Sequence, residues 1–263
     1  MPDRPEIEAG LGPVARITAM RGGDLSQVFR VELADGSLAV AKTGPLVARE
    51  ARMLRAMARA GAPCPRVLSL RGNLLLMEHL AETPTPRWNS LGAALRTLHA
   101  RIGTTYGWEE DYAFGPARLP NTPCADWPEF WATRRLLAWP EALPMAISRR
   151  VERLCARICG LLPRTPPPAL LHGDLWAGNV LFTRNGAALI DPACYHGDPE
   201  ADLAMLHLFG QPGAGFADGY GALPEGWPER RPIYQIWPAL VHLRLFGESY
   251  RGLTARLLDA AGA

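Results

Sequence analysis

Three oxygen-bearing side chains, Asp174, Asn179 and Asp191, fall within one short stretch of the chain. Together they meet the needs of phosphoryl transfer. A carboxylate must accept the proton of the attacking hydroxyl, and hard oxygen ligands must hold magnesium against the nucleotide phosphates. A fourth candidate lies far upstream. The chain carries 28 lysines and arginines, and Lys42 is its only lysine. An ammonium is a compact point charge and a guanidinium is a flat fork. One lysine kept in so arginine-rich a chain therefore points to a confined contact with phosphate oxygens. Glu50 is the next acid along, and it offers a carboxylate to hold that lysine in place.

The elements around these residues must bring them together. Residues 170–192 read LLHGDLWAGNVLFTRNGAALIDP: an apolar run, a polar loop, then apolar runs 180–182 and 187–190 around Asn185-Gly186. Asn-Gly between apolar runs is the strongest short-range hairpin signal. A hairpin returns its outer ends to one place. Asn179 and Asp191 therefore become neighbours, with Asp174 on the same rim. Protein kinases use this order too: a catalytic Asp, an Asn five residues on, and a second metal-binding Asp on a later strand.

Upstream, the spacing predicts strands over 14–20, 26–33, 37–42, 66–70 and 74–78. Arg21-Gly22-Gly23-Asp24 joins the first two, and Gly22 and Gly23 would let the backbone approach a phosphate. Ala34-Asp35-Gly36 turns the next hairpin. Residues 45–60 predict a helix, with Pro45 in its first turn and Gly61 as its cap. Its apolar stripe runs through Val47, Leu54 and Met57, and Glu50 lies close to that stripe. A carboxylate there needs a cation, and Lys42 is at hand. Beyond Pro84 and Pro86 the pattern is mostly helical, over 87–102, 126–138, 144–161, 200–209, 232–246 and 248–259. The second of these opens on the capping box Asp126-Trp127-Pro128-Glu129.

Composition narrows the class. Hydrophobic residues make up 48% and charged residues 21% of the 263-residue chain, which suits a globular enzyme with a sizeable core. A net charge of +2 points to neither nucleic acid nor a membrane surface as partner. No apolar run is long enough to span a bilayer, and the acidic, polar start does not read as a signal peptide, so a cytoplasmic location is expected. The five scattered cysteines read as free thiols rather than a zinc site or a disulfide framework. Arg149, Arg150, Arg153 and Arg157 read as a solvated helix face.

The segments HGDLWAGN, IDPACYHGDPEADLAM, LFG, FADGY and HLRLFGESY closely resemble the fructosamine kinase (ketosamine kinase) family, over about residues 22–250. HGDxxxxN marks the wider phosphotransferase group. Trp176 beside the loop Asp, with Asp202-Leu203-Ala204-Met205 downstream, narrows it to this family. The resemblance implies an α+β, bilobal, protein-kinase-like fold related to aminoglycoside phosphotransferases. Residues 1–77 would form the ATP-binding lobe, with a small antiparallel sheet and one main helix. Residues 78–86 would be the hinge, and 87–263 a helical lobe bearing the catalytic loop and acceptor site.

It further implies ATP and Mg2+ as cofactors and a ketoamine as acceptor, small or protein-bound. Lys42 would lie on the ATP phosphates, Glu50 would orient it, and Glu78, His79 and Leu80 would border adenine. Asn179 and Asp191 would hold magnesium, and Asp174 would deprotonate a sugar hydroxyl. Asp202, with His172, would support the catalytic loop. On chemistry alone Trp176 either walls a substrate or packs under its loop; the resemblance favours the substrate wall. Asp198 and Glu200 are expected near the rim, attracting the secondary ammonium of the adduct. The segment His196-Gly197-Asp198-Pro199-Glu200 departs from the Tyr-Gly-His-Arg-Glu common in the family, which leaves acceptor preference open. A kinase of the same fold acting on an aminoglycoside, choline or another alcohol would share every catalytic residue. A nucleotide-binding scaffold without turnover would have lost one of them, and none is lost. Nothing in the sequence gives an oligomeric state.

Overall fold

Short apolar runs at the start of the chain build one antiparallel sheet. The computed structural model describes residues 2–20 and 26–263; Gly22 and Gly23, expected at the nucleotide phosphates, lie outside the described residues. A helix, α1 (Arg4–Leu11), precedes β1 (Val14–Ala19), β2 (Gln27–Leu33) and β3 (Leu38–Thr43). Then come α2 (Val47–Arg59), β4 (Val67–Arg71) and β5 (Leu74–Glu78). The strand order is β1-β2-β3-β5-β4. The β2–β3 turn is set by Asp35, whose carboxylate accepts from Ser37 N at 2.9 Å and Ser37 Oγ at 2.6 Å.

Strand β5 is apolar from Leu74 to Met77 because both faces of the sheet are covered. Leu74 and Leu76 join Ile7 of α1, Phe29 and Val31 in one cluster. Leu75 and Met77 point the other way, onto Val47, Ala51 and Leu54 of α2. Helix α2 has a second apolar arc: Met53, Ala56 and Met57 face the large core of the rest of the chain. It is thus wedged between sheet and helical region. Lys42 sits near the end of β3, opposite Val28 on β2 and Leu75 on β5.

Residues 78–86 cross to the helical region, docking where Thr83 N donates to Phe182 O at 2.7 Å. Then follow α3 (Trp88–His99), β6 (Tyr112–Phe114), β7 (Ala117–Leu119), α4 (Trp127–Trp131), α5 (Met145–Cys155) and β8 (Ala169–Leu171). The Asn185-Gly186 hairpin is β9 (Val180–Thr183) and β10 (Gly186–Leu189), and β11 (Tyr195–Gly197) pairs back onto β8. Helices α6 (Glu200–Leu206), α7 (Phe216–Tyr220), α8 (Trp227–Phe246) and α9 (Arg251–Ala260) complete the chain. Trp127, Phe130, Trp131, Tyr234 and Trp237 form the aromatic centre of the core. Burying each contributes about 1.5–3 kcal/mol or more.

Three departures from the sequence-based expectations have physical causes. Helix α1, in a segment read only as a short acidic lead, forms because Ile7 fills a fully buried site on the sheet. Asp126 does cap α4, accepting from Glu129 N at 3.0 Å, but the helix does not run on to residue 138. It widens into a π-helical turn, Ala132–Leu136. That turn places the buried Arg135 guanidinium over the Tyr195 ring at 4.1 Å and within 2.8 Å of the acceptors Pro120 O and Asn121 Oδ1. Arg150 is no solvated side chain either. It donates to Ala263 O at 2.9 Å and pairs with Asp259, pinning α9 against α5.

Candidate active site

The loop after β8 is held from beneath by one carboxylate. Asp202, early in α6, accepts from His172 N at 2.6 Å and Gly173 N at 2.9 Å, and lies 3.2 Å from His99 Nε2. Burial pushes its carboxyl up, but the hydrogen bond and charge of His99, with His172 and the Gly173 amide, outweigh burial and hold it below the usual carboxylate range. Gly173 has φ +80, and a Cβ there would strike the carbonyl oxygen of Ala193, so the position admits only glycine. His172 Nε2 lies 2.8 Å from Ile190 O, to which it donates, and its Nδ1 accepts from Asp174 N at 3.3 Å. Burial lowers its pKa, which keeps this neutral tautomer. His172 thereby links the loop after β8 to the end of the returning strand.

Asn179 closes the other end of the loop. Its Nδ2 donates to Asp174 O at 2.8 Å and Asp174 Oδ2 at 3.0 Å, leaving Oδ1 as an acceptor with no hydrogen-bond partner among the described residues. Burial raises the Asp174 pKa to about 7; the Asn179 hydrogen bond opposes this, and the nearby Asp191 and Asp202 charges add to it. Asp191 is, among the described residues, the one non-glycine with positive φ, at 52°. That backbone turns its carboxylate to within 2.8 Å of Lys42 Nζ. Lys42 Nζ also lies 2.9 and 2.8 Å from the two oxygens of Glu50. Burial would lower the Lys42 pKa; the two carboxylates raise it on balance, so the ammonium stays charged.

Two clefts meet at these side chains. The larger, about 910 Å3, is lined by Val28, Val40, Met77, Glu78, His79 and Leu80 beside Lys42 and Asp191. The smaller, about 730 Å3, is lined by Asp174 with Tyr112, Phe114, Val241 and Leu245. Lys42, Trp176, Asn179, Asp191, His242 and Phe246 border both. Trp176 is 43% exposed, with its ring folded over Gly178, so it stands at the junction and not under the loop.

Asp198 and Glu200 are not at the rim. They are 4% and 3% exposed and border neither cleft. Asp198 accepts from Tyr234 Oη at 2.7 Å and Glu200 N at 3.0 Å, and Glu200 pairs with Arg230 at 2.9 Å. The expectation that they attract a substrate ammonium is therefore corrected: their oxygens are engaged in joining α6 to α8. Sequence reasoning also missed residues that the structure brings to the site. Tyr112 and Phe114 come from the β6–β7 hairpin, and His242, Phe246 and Tyr250 stack along the end of α8, with His242 4.9 Å from Tyr250. Their spacing of four residues, inside the segment HLRLFGESY that carries part of the resemblance, was the signal of it in the sequence.

The donors present suit a magnesium nucleotide. The Asn179 Oδ1 and Asp191 carboxylate are hard oxygens on one wall, and Lys42 supplies the facing cation. Among the described residues no group of three or more His, Cys, Asp or Glu side chains forms a closed metal cage. An ion that shares its coordination with phosphates needs none.

The sequence model of the fructosamine kinase family matches residues 12–261. Over 260 residues the chain is 35% identical to a Thermus thermophilus protein named a probable ketoamine kinase, with 97% of each chain covered. It is 31% identical to an Enterococcus faecium protein of the same name, over 93% of this chain and 94% of the other. The crystal structure of a fructosamine-3-kinase candidate from Thermobifida fusca aligns at a TM-score of 0.91 and 35% identity, covering 98% of this chain and 97% of that one. An aminoglycoside phosphotransferase bound to AMP-PNP and hygromycin B has the same fold, at a TM-score of 0.72 and 16% identity, over 99% and 98% of the two chains. These matches run through both the sheet and the helical region.

Proposed function

The chain belongs to the fructosamine kinase family, and on that premise we propose that it transfers the γ-phosphoryl group of ATP to a sugar hydroxyl of a ketoamine, the rearranged adduct of a sugar with an amine. An ATP-dependent phosphotransferase of kinase-like fold has to bring nucleotide and acceptor to one line of attack. The observation that carries the reading is the meeting of two clefts at Lys42, Asn179 and Asp191, with Asp174 opening only onto the smaller.

The larger cleft takes the nucleotide, with adenine against residues 78–80 and the phosphates toward Lys42. Glu50 holds Lys42, and Asn179 and Asp191 are the residues that hold Mg2+. The ion, when bound, neutralises charge building on the phosphates. Asp174 then accepts the proton of the attacking hydroxyl. Its raised pKa of about 7 makes it a stronger base than an exposed carboxylate while leaving it ionised just above neutrality. Asn179, donating to the same carboxylate, fixes which oxygen faces the acceptor. Trp176 lies flat on the apolar face of the sugar, and His242 and Phe246 complete an aromatic mouth.

The test is a rate comparison of fructosyl-lysine, ribulosyl-lysine, free fructose, choline and an aminoglycoside at equal concentration. The ketoamines should be phosphorylated fastest. A clear preference for choline or the aminoglycoside defeats the proposal.

A further inference from the structure

Helix α2 carries Glu50 on its buried side and two arginines, Arg49 and Arg52, on the side facing the helical region. Both arginines converge on a single carboxylate. Arg52 grips Glu110 with both arms, Nε to Oε1 and Nη2 to Oε2, each at 2.7 Å. Arg49 Nε lies 3.0 Å from the same Oε2, and its Nη1 donates to Asp111 O at 2.7 Å. A lone surface ion pair contributes little. Two guanidiniums on one carboxylate, one of them bidentate, form a geometrically specific clamp.

The clamp has a firm base. Asn121 Nδ2 donates to Glu110 O at 3.0 Å, and Asn121 N donates to the Asp111 carboxylate at 2.8 Å. Asn121 Oδ1 in turn accepts from the buried Arg135 at 2.8 Å. Glu110 and Asp111 are thus fixed to the core, and the next residues, Tyr112 and Phe114, wall the acceptor cleft. Tyr112 shares that cleft with Glu50, Asp174 and Asp191.

We infer that Glu110 is a positioning residue: through Arg49 and Arg52 it locks α2 against the helical region, and so sets Glu50 on Lys42 from the acceptor wall. The inference rests on the reading of Lys42 as the phosphate-binding lysine. Without the clamp, α2 keeps its apolar contacts to the sheet and, through Met53, Ala56 and Met57, to the large core, but loses its polar tie to residues 110–111. Glu50 then holds Lys42 less tightly, and the side chain leaves its buried seat more often.

The single lysine allows this to be read directly. An acetylating reagent must reach the Lys42 amine, which is 6% exposed, so Lys42 acetylation, quantified by peptide mass with no nucleotide or acceptor present, reads how firmly the side chain is held. Glu110→Gln should acetylate at Lys42 about three- to tenfold faster than the parent enzyme, the range expected for losing a charged partner in a network. Its KM for MgATP should rise by a similar factor. Arg49→Gln with Arg52→Gln should give the same increase, and adding Glu110→Gln should change nothing further. Should Glu110→Gln fail to fold, Arg52→Gln alone carries the test, with a smaller rise in acetylation. A folded Glu110→Gln or Arg52→Gln enzyme with parental Lys42 acetylation overturns the inference, as does full additivity of the arginine and glutamate changes. The acetylation assay needs no substrate, so its outcome is independent of whether a ketoamine proves to be the acceptor.

Discussion

The two clefts that meet at Lys42 are built in different ways. Half of the described lining of the larger cleft, the proposed nucleotide site, lies within residues 20–82, where β2, β3, β5 and residues 78–80 supply Val28, Val40, Lys42, Met77 and Glu78. The acceptor cleft is assembled from segments far apart in the chain, Tyr112 and Phe114, then Asp174, then Val241 and Leu245. A sheet lobe with a central apolar strand gives little scope for variation around the phosphates. A pocket walled by a hairpin and the end of a long helix can change residue by residue without disturbing the lysine. On the proposed reading, the residues that hold the phosphates are thus separate from most of those that would select the acceptor.

The sharpest break between the clefts comes from Asp174→Asn. It should lower kcat by about 10²–10⁴-fold through loss of general-base help, with the Kd for MgATP unchanged. Both are measured on one preparation; retained turnover removes Asp174 from the chemistry. Asp191→Asn stands on the shared wall and should act on the nucleotide side, weakening MgATP by about tenfold or more while sparing metal-free ATP. Equal weakening of both would make Asp191 structural. Trp176→Ala should raise the ketoamine KM by roughly 5–30-fold, the effect of losing about 1–2 kcal/mol of stacking contact. An unchanged KM for both ketoamines would place the sugar elsewhere.

Asp174 also predicts two pH effects of opposite sign. Its raised pKa of about 7 means that kcat should fall about tenfold per pH unit below 7, as the base is protonated. Stability runs the other way. A carboxyl whose folded pKa lies above its unfolded value favours the fold at low pH, and that contribution is lost as pH rises toward 7. Asp174→Asn should therefore melt higher than the parent enzyme at pH 8, by about 1–2 kcal/mol or roughly 2–4 °C after allowing for solvent at the cleft. The difference should vanish near pH 4. A lower melting point for Asp174→Asn at pH 8 would show that the carboxylate is not held in an unfavourable site.

What could be read from the sequence follows the range of the forces involved. Asn185-Gly186 sets its hairpin locally, and a hairpin closes its own ends, so Asn179 and Asp191 were legible as neighbours. Lys42 and Glu50 were legible because a carboxylate in an apolar stripe demands a cation. Asp198 and Glu200 misled because composition shows an acid but not its partner: Tyr234 and Arg230 lie 36 and 30 residues on, beyond α7, and reach back to the start of α6. The β8–β11 pairing is three residues long and carries no periodic signal, and neither do the short strands behind Tyr112 and Phe114. Tertiary packing alone fixes those, which is why the acceptor side of the site was the less readable half.

The lone lysine has a consequence outside the reaction. Reducing sugars add to unprotonated side-chain amines, and an enzyme that handles such adducts works where those sugars are present. This chain offers them one lysine, half-enclosed by two carboxylates and 6% exposed. Its other basic side chains are guanidiniums, which stay protonated and are far poorer nucleophiles toward a sugar aldehyde. The arginine-rich surface thus resists the very lesion that defines the proposed substrate, and the one side-chain amine is guarded by the contacts that make it useful.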